Sequence, residues 1–231
     1  MIYVYYHHIG CHGFNFNTKK SEINLPACII NIGGITNITI ITSFDINGLK
    51  SYDIGPGNCL IDEWIRIKTK KKYDENGEIA HQGSTSEIIL NQIIDNFDSK
   101  KILSFDIKDF NLNFIRGLSL EDGASTLTDF TAKIISNVLL NISSDLHRKK
   151  INVLICGGGR KNVTLIKSIR KNTFDKFSIQ IIDDYGLNGD FIESQAFAYL
   201  AIRSYLKLDI SFPKTTYCNS ACTGGVLIKN F

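Results

Sequence analysis

Three glycine-bearing loops place polar side chains at spacings that could do chemistry. They are Asn31-Ile32-Gly33-Gly34-Ile35-Thr36-Asn37, Asp53-Ile54-Gly55-Pro56-Gly57-Asn58 and Cys156-Gly157-Gly158-Gly159-Arg160-Lys161-Asn162. Glycine permits positive φ and removes the Cβ, so backbone N–H groups can come close to an anion. Pro56 fixes one backbone angle between two flexible neighbours. Asp53 and Asn58, which flank that turn, could hydrogen-bond sugar hydroxyls or a metal-bound water. Asn58 also reads as the N-cap of a helix, whose start would add free N–H donors and a partial positive charge. The implied ligand is phosphorylated or polyhydroxylated. Each loop has a plainer reading: a tight strand-to-helix connection at Gly157 to Gly159, and a capping turn with a structural aspartate at Asp53. The Gly157 run is neither a dinucleotide fingerprint nor a Walker A loop, because no Gly-Lys-Ser/Thr comes after it. A fourth segment, Gly189-Asp190-Phe191-Ile192-Glu193, opens the last helix. Glu193 there either serves the helix dipole or reaches a ligand.

Strands and helices must position these loops. Ala27 to Ile32 is an apolar run bounded by Pro26 and Gly33, and Thr36 to Thr42 alternates; both predict strands. Asn58 to Lys68 carries Leu60, Ile61, Trp64 and Ile65 at helical spacing. Asp62 and Glu63 sit near its start, where they suit the dipole or form a carboxylate pair. Tyr73 to Ser84 reads as a polar loop with an Asn76-Gly77 turn. Ser86 to Phe97 is a second amphipathic helix, and Asp98 to Arg116 is irregular. Ser119 to His147 is the longest helical pattern, with Ser119 and Asp122 resembling a capping box. Ile151 to Ile155 and Ser178 to Ile182 read as strands, Val163 to Lys171 and Asp190 to Leu206 as helices, and Val226 to Ile228 as a last strand. Strands alternating with helices predict an α/β fold with its ligand edge at the strand C-termini.

Twenty-six Lys and Arg against 23 Asp and Glu give a net charge of +3, too weak to argue for nucleic acid or a membrane surface. The lysines at 68, 70, 71 and 72 suit the C-terminal end of a helix. The expectation is a cytoplasmic chain with reduced thiols. No apolar run approaches the roughly 20 residues that span a bilayer. Of the six cysteines, Cys28 and Cys156 sit in apolar runs, and Cys218 and Cys222 have metal-like spacing without a second pair. His7, His8 and His12 cluster with no acidic neighbour, so no metal site is assigned to them.

Taken in order, the three loops and Gly189 to Ala201 (GDFIESQAFAYLA) resemble the C-terminal part of the anhydro-N-acetylmuramic acid kinase family, from about Tyr3 onward. The resemblance implies a ribonuclease H-like (actin-like ATPase) α/β domain at residues 26–231, a mixed sheet flanked by helices. Residues 1–25 are then a remnant of the preceding segment. It implies ATP and Mg²⁺, with hydrolytic opening of the 1,6-anhydro ring and transfer of the γ-phosphate to the 6-oxygen, giving N-acetylmuramic acid 6-phosphate. By that resemblance Gly33 and Gly34 form the second phosphate loop, and Gly157, Gly158, Gly159 and Asn162 lie against the adenosine. Asp53, Gly55, Gly57 and Asn58 face the cleft, and Glu193 contacts the sugar. Family members also carry an N-terminal glycine-rich phosphate loop and a Gly-Asp-Phe-Arg-like segment whose aspartate is the general base. The stretch beginning at Met1 resembles the family's sequence just past that aspartate, so no catalytic residue is assigned here. Ile54 stands where a threonine is usual, and Lys101 to Ile107 departs from the family's proline and arginine pattern. The expected partners are a small sugar and, for a split enzyme, a separate chain with the N-terminal half; a homodimer stays open. The alternative is a non-catalytic nucleotide- or sugar-binding remnant.

Overall fold

The sheet is built around one strand. In a computed structural model, which describes residues 24–43, 45–97, 104–146, 151–174 and 176–228, β1 (Ala27–Ile32) is buried at all six positions. An apolar run of that length, closed by Gly33, is what a central strand with both faces covered requires. It pairs antiparallel with β2 (Ile35–Ile41) on one side and parallel with β4 (Ile151–Cys156) on the other. β3 (Leu49–Pro56) pairs antiparallel with β2, and β5 (Phe177–Ile181) pairs parallel with β4. The order β3-β2-β1-β4-β5, with only β2 reversed, is the ribonuclease H-like arrangement expected from the sequence.

Alternating side chains divide the core between the two faces. Cys28, Ile30, Ile32, Val153 and Ile155 point to one face and meet Ile135 and Leu139 of α4 (Leu120–Asp145) and Leu165 and Ile169 of α5 (Val163–Thr173). Ile29, Leu154 and Cys156 point to the other face and meet Ile192 of α6 (Ile192–Tyr205). A third cluster joins α1 (Cys59–Lys68), α2 (Glu78–Gln82) and α3 (Glu87–Asn96) to α4 around Trp64, whose Nε1 donates to the Leu120 carbonyl at 2.9 Å. Gly123 lies flat on that indole, where an added Cβ would come within 2.4 Å of the ring. The Lys68 ammonium sits 4.5 Å from the same ring, so the lysine cluster is a helix terminus.

The elements depart from the sequence expectations in four places. β3 is a strand that composition alone does not mark, because Lys50, Ser51, Asp53, Gly55 and Pro56 break any apolar alternation. The stretch read as a polar loop contains α2, started by Asp74, whose carboxylate accepts the Ile79 and Ala80 amides at 2.9 Å each. The irregular segment holds two short 3₁₀ turns, Ile107–Asp109 and Asn113–Ile115. Val226 to Ile228 is not a strand: it is exposed and irregular, and the only nearby pairing among the described residues is a bridge between Ser211 and Cys222. A last short helix, α7 (Pro213–Thr216), precedes that tail. Ser119 caps α4, accepting the Asp122 amide at 3.0 Å, but the Asp122 carboxylate accepts the Ser84 amide at 2.8 Å instead of closing a capping box. His7, His8, His12 and Cys11, with residues 1–23, lie outside the described residues.

Candidate functional site

Because β1, β3, β4 and β5 run the same way, their C-terminal ends share one edge of the sheet. That edge is where open α/β sheets bind ligands. The three glycine loops all lie on it: Gly33-Gly34 joins β1 to β2, Gly55 to Asn58 joins β3 to α1, and Gly157 to Gly159 comes directly after β4.

The first two loops are stitched together through their backbones. Gly57 N donates to Gly34 O at 2.9 Å, Asn58 N to Gly33 O at 2.8 Å and Cys59 N to Gly34 O at 3.2 Å. The glycine turn therefore takes the first of the α1 N-terminal amides, Cys59 N, while the first intrahelical bond runs from Asp62 N to Asn58 O at 2.8 Å. The Asn58 side chain does not cap its helix. Its backbone is already helical, and its Nδ2 instead donates to Ile32 O at 3.3 Å. The close approach explains Gly57: a Cβ there would stand 2.4 Å from Gly33 O. Gly55 adopts φ +148°, and a Cβ would meet Phe97 at 2.9 Å. Both residues are buried, and the turn requires glycine at each.

The third loop divides the same way. Gly157 adopts φ +79°, where an added Cβ would stand 2.3 Å from Asn31 Oδ1 and 2.6 Å from Ile32 O, and Gly159 is packed on the Ile32 side chain. Gly158 is different: it is exposed, and its nearest neighbour is Asn58 Nδ2, 3.8 Å from an added Cβ. The first bond of this turn runs from Arg160 N to Gly157 O at 3.3 Å, so the Gly158 and Gly159 amides precede it. Asn162 is buried, and its Oδ1 caps α5 by accepting the Leu165 amide at 2.9 Å.

Asp53 is half-buried, and its Oδ2 accepts from Phe105 N at 3.1 Å and Ser104 Oγ at 3.2 Å. It thus anchors the segment at Ser104 on the same edge. Glu193 is exposed in the first turn of α6. It lies near the end of β4, because its neighbour Ile192 packs in one buried cluster with Leu154 and Cys156. Burial pushes the Cys156 thiol up to about 12; Arg160 opposes the shift, and Glu193 and Asp183 add to it. The structure therefore brings Gly33, Gly34, Asn58, Gly158 and Glu193 to the surface of one edge, with Gly55, Gly57, Gly159 and Asn162 as buried supports.

The sequence reading missed Arg160. Its guanidinium is buried and holds Asp183 and Asp190 at 2.7 and 2.9 Å. The adjacent loop glycines were the available signal, but its partners lie 23 and 30 residues away. Among the described residues no group of three His, Cys, Asp or Glu side chains is placed to hold a metal ion.

A family model described as anhydro-N-acetylmuramic acid kinase matches residues 16–230. The chain belongs to this family. A curated relative from Pelagibacter ubique, named anhydro-N-acetylmuramic acid kinase, is 56% identical over 220 residues, covering 94% of this chain and 59% of that protein. A relative of the same name from Zymomonas mobilis is 40% identical, over 89% of this chain and 55% of its own length. The chain thus spans little more than half the length of these relatives. A solved activator of 2-hydroxyisocaproyl-CoA dehydratase from Clostridium difficile, with bound ADPNP, is similar over 78% of this chain and 64% of its own, at 15% identity and TM-score 0.42. No helix among the described residues is long and apolar enough to cross a membrane.

Proposed function

We propose that this chain carries the nucleotide-binding side of an ATP-dependent anhydro-N-acetylmuramic acid kinase. In that reaction water adds across the 1,6-anhydro bond and the ATP γ-phosphoryl group passes to the 6-oxygen. The products are ADP and N-acetylmuramic acid 6-phosphate, which places the reaction in peptidoglycan recycling. The observation that carries the reading is the meeting of the Gly33-Gly34 and Gly157 to Gly159 loops at one sheet edge, with Gly34 and Gly158 exposed. The Gly158 and Gly159 amides lie against the nucleotide, with Asn162 holding the loop from behind through its helix cap. Asn58 and Asp53 border the cleft, and Glu193 reaches the sugar from α6. Magnesium bound to ATP neutralises phosphate charge; the chain's own part is to bind and orient.

Residues 1–231 contain no Gly-Asp-Phe-Arg segment. In this reading the base that activates water lies outside these residues, and such a base is worth about 10²–10⁴ in rate. The deciding experiment is Mg·ATP-dependent turnover of 1,6-anhydro-N-acetylmuramic acid by the purified chain, alone and with the N-terminal part of an intact relative. Turnover only with the added part is expected. Turnover by the chain alone would overturn the assignment of the base, and Mg·ATP binding without turnover in either case would favour a non-catalytic binding module. Gly158→Ala tests the binding surface. Its methyl group meets nothing closer than 3.8 Å within the fold, so stability should hold while Mg·ATP affinity falls about tenfold. Unchanged affinity would remove Gly158 from the site.

A further inference from the structure

The Arg160 guanidinium makes contacts that no apolar packing explains. Its side chain is only 5% exposed. Nε donates to Asp183 Oδ2 at 2.7 Å, Nη2 to Asp190 Oδ1 at 2.9 Å and Nη1 to the Gly157 carbonyl at 3.1 Å. Lys161 reaches Asp190 from outside at 2.8 Å. Asp183 sits on the 3₁₀ turn Ile182–Tyr185 after β5 and also accepts the Gly189 amide at 3.3 Å. Gly189 lies directly on the guanidinium: an added Cβ would stand 2.2 Å from Nε. One buried cation thus ties together the glycine loop after β4, the turn after β5 and the turn that opens α6. All three are at the ligand edge, and the last leads into Glu193.

A buried ion pair is a poor way to gain stability, since well-packed apolar groups often do as well. What a planar, five-donor fork does better is fix several acceptors in one geometry. We propose that Arg160 is a positioning residue that holds the Gly157 to Gly159 loop and the first turn of α6 as one rigid unit. The nucleotide side and the Glu193 side of the site then move together. This rests on the reading of this edge as the nucleotide site, but its mechanical content does not.

The test uses the 231-residue chain as wild type, Arg160→Ala, Arg160→Lys and Gly189→Ala, with Ile169→Val as a core control of lowered melting temperature. Amide hydrogen exchange is followed at residues 157–162 and 186–196, and Mg·ATP binding by calorimetry. Arg160→Ala and Gly189→Ala should raise exchange in both segments together, at least about tenfold. They should weaken Mg·ATP about tenfold, while Arg160→Lys restores part of each and Ile169→Val moves neither. Faster exchange in one segment only, or equal effects in Ile169→Val, would overturn the proposal. If Arg160→Ala does not fold, Gly189→Ala and Arg160→Lys decide it by the same exchange pattern. If wild type binds no Mg·ATP, the nucleotide reading fails while the exchange comparison still settles the clamp.

Discussion

Replacing Gly57 by alanine should pry two of the loops apart. The new Cβ would stand 2.4 Å from the Gly33 carbonyl oxygen and 2.9 Å from Thr36 Oγ1. Comfortable contact needs about 3.5 Å, so the turn and the helix start must separate by about 1 Å. Three bonds cross that gap: Asn58 N to Gly33 O at 2.8 Å, and Gly57 N and Cys59 N to Gly34 O at 2.9 and 3.2 Å. Stretched by that amount, all three exceed hydrogen-bonding range. Thr131 Oγ1, which donates to the Gly57 carbonyl at 3.0 Å, is disturbed as well. At about 0.5–1.5 kcal/mol for each of three bonds, the loss is about 1.5–4.5 kcal/mol. That is a large share of the roughly 5–15 kcal/mol that holds a domain together. Urea denaturation followed by circular dichroism measures it, with wild type and Gly158→Ala as references. A Gly57→Ala midpoint equivalent to less than about 1 kcal/mol of loss would refute the reasoning, because the stitch would then not hold the loops.

The same geometry sets three more expectations. Burial pushes the Asp62 carboxyl up from 3.8 to about 6 despite nearby Arg66, with Asp74 adding to the rise. A raised folded pKa means that ionised Asp62 costs stability above about pH 6 and nothing below its unfolded value. After discounting for partial exposure, Asp62→Asn should stabilise by about 1 kcal/mol at about pH 8 and not at all at about pH 3, and a loss of stability at the higher pH would contradict this. Burial also pushes Cys28 up to about 12 and Cys59 up to about 11. In a Cys11→Ser background, a thiol-disulfide reagent should therefore modify Cys218 and Cys222 in the folded chain and reach Cys28, Cys59 and Cys156 only on unfolding; rapid modification of all five would show that the sheet opens. Asn162→Ala removes the α5 cap and should cost about 1 kcal/mol in thermal denaturation, against no measurable change if the Leu165 amide is satisfied otherwise.

Much of this was legible in residue types. β1 is Ala27 to Ile32 as its apolar run predicts, because a strand covered on both faces needs no polar residue. The loops were legible because glycine alone tolerates the φ of Gly157 or the backbone contact at Gly57. β3 was not, because its register comes from pairing with β2 rather than from its own alternation. Which glycines face outward was also hidden: Gly157, Gly158 and Gly159 are identical letters, and the positions of Asn31 and Ile32 separate support from surface. Asn58 stands at the N-cap position as its place in the sequence suggests, but its side chain turns to donate to a carbonyl across the loop, which no local pattern reveals. Arg160 beside Lys161 looks like a solvated pair until Asp183 and Asp190 arrive from distant parts of the chain.

The central place of β1 has a consequence for how the chain is made. Its antiparallel partner comes at once through a two-residue turn, but the parallel pairing that brings Asn31 beside Cys156 joins residues 125 apart in sequence. During synthesis β1, β2 and β3 emerge as a meander, while one edge of β1 waits unpaired for β4, with Ile29 and Ile30 uncovered. Early-made, late-closed sheets fold slowly and are prone to aggregate while they wait. In refolding, pulsed hydrogen exchange should protect β2 and β3 amides before those of β4 and β5, and simultaneous protection would show that the sheet closes in one step.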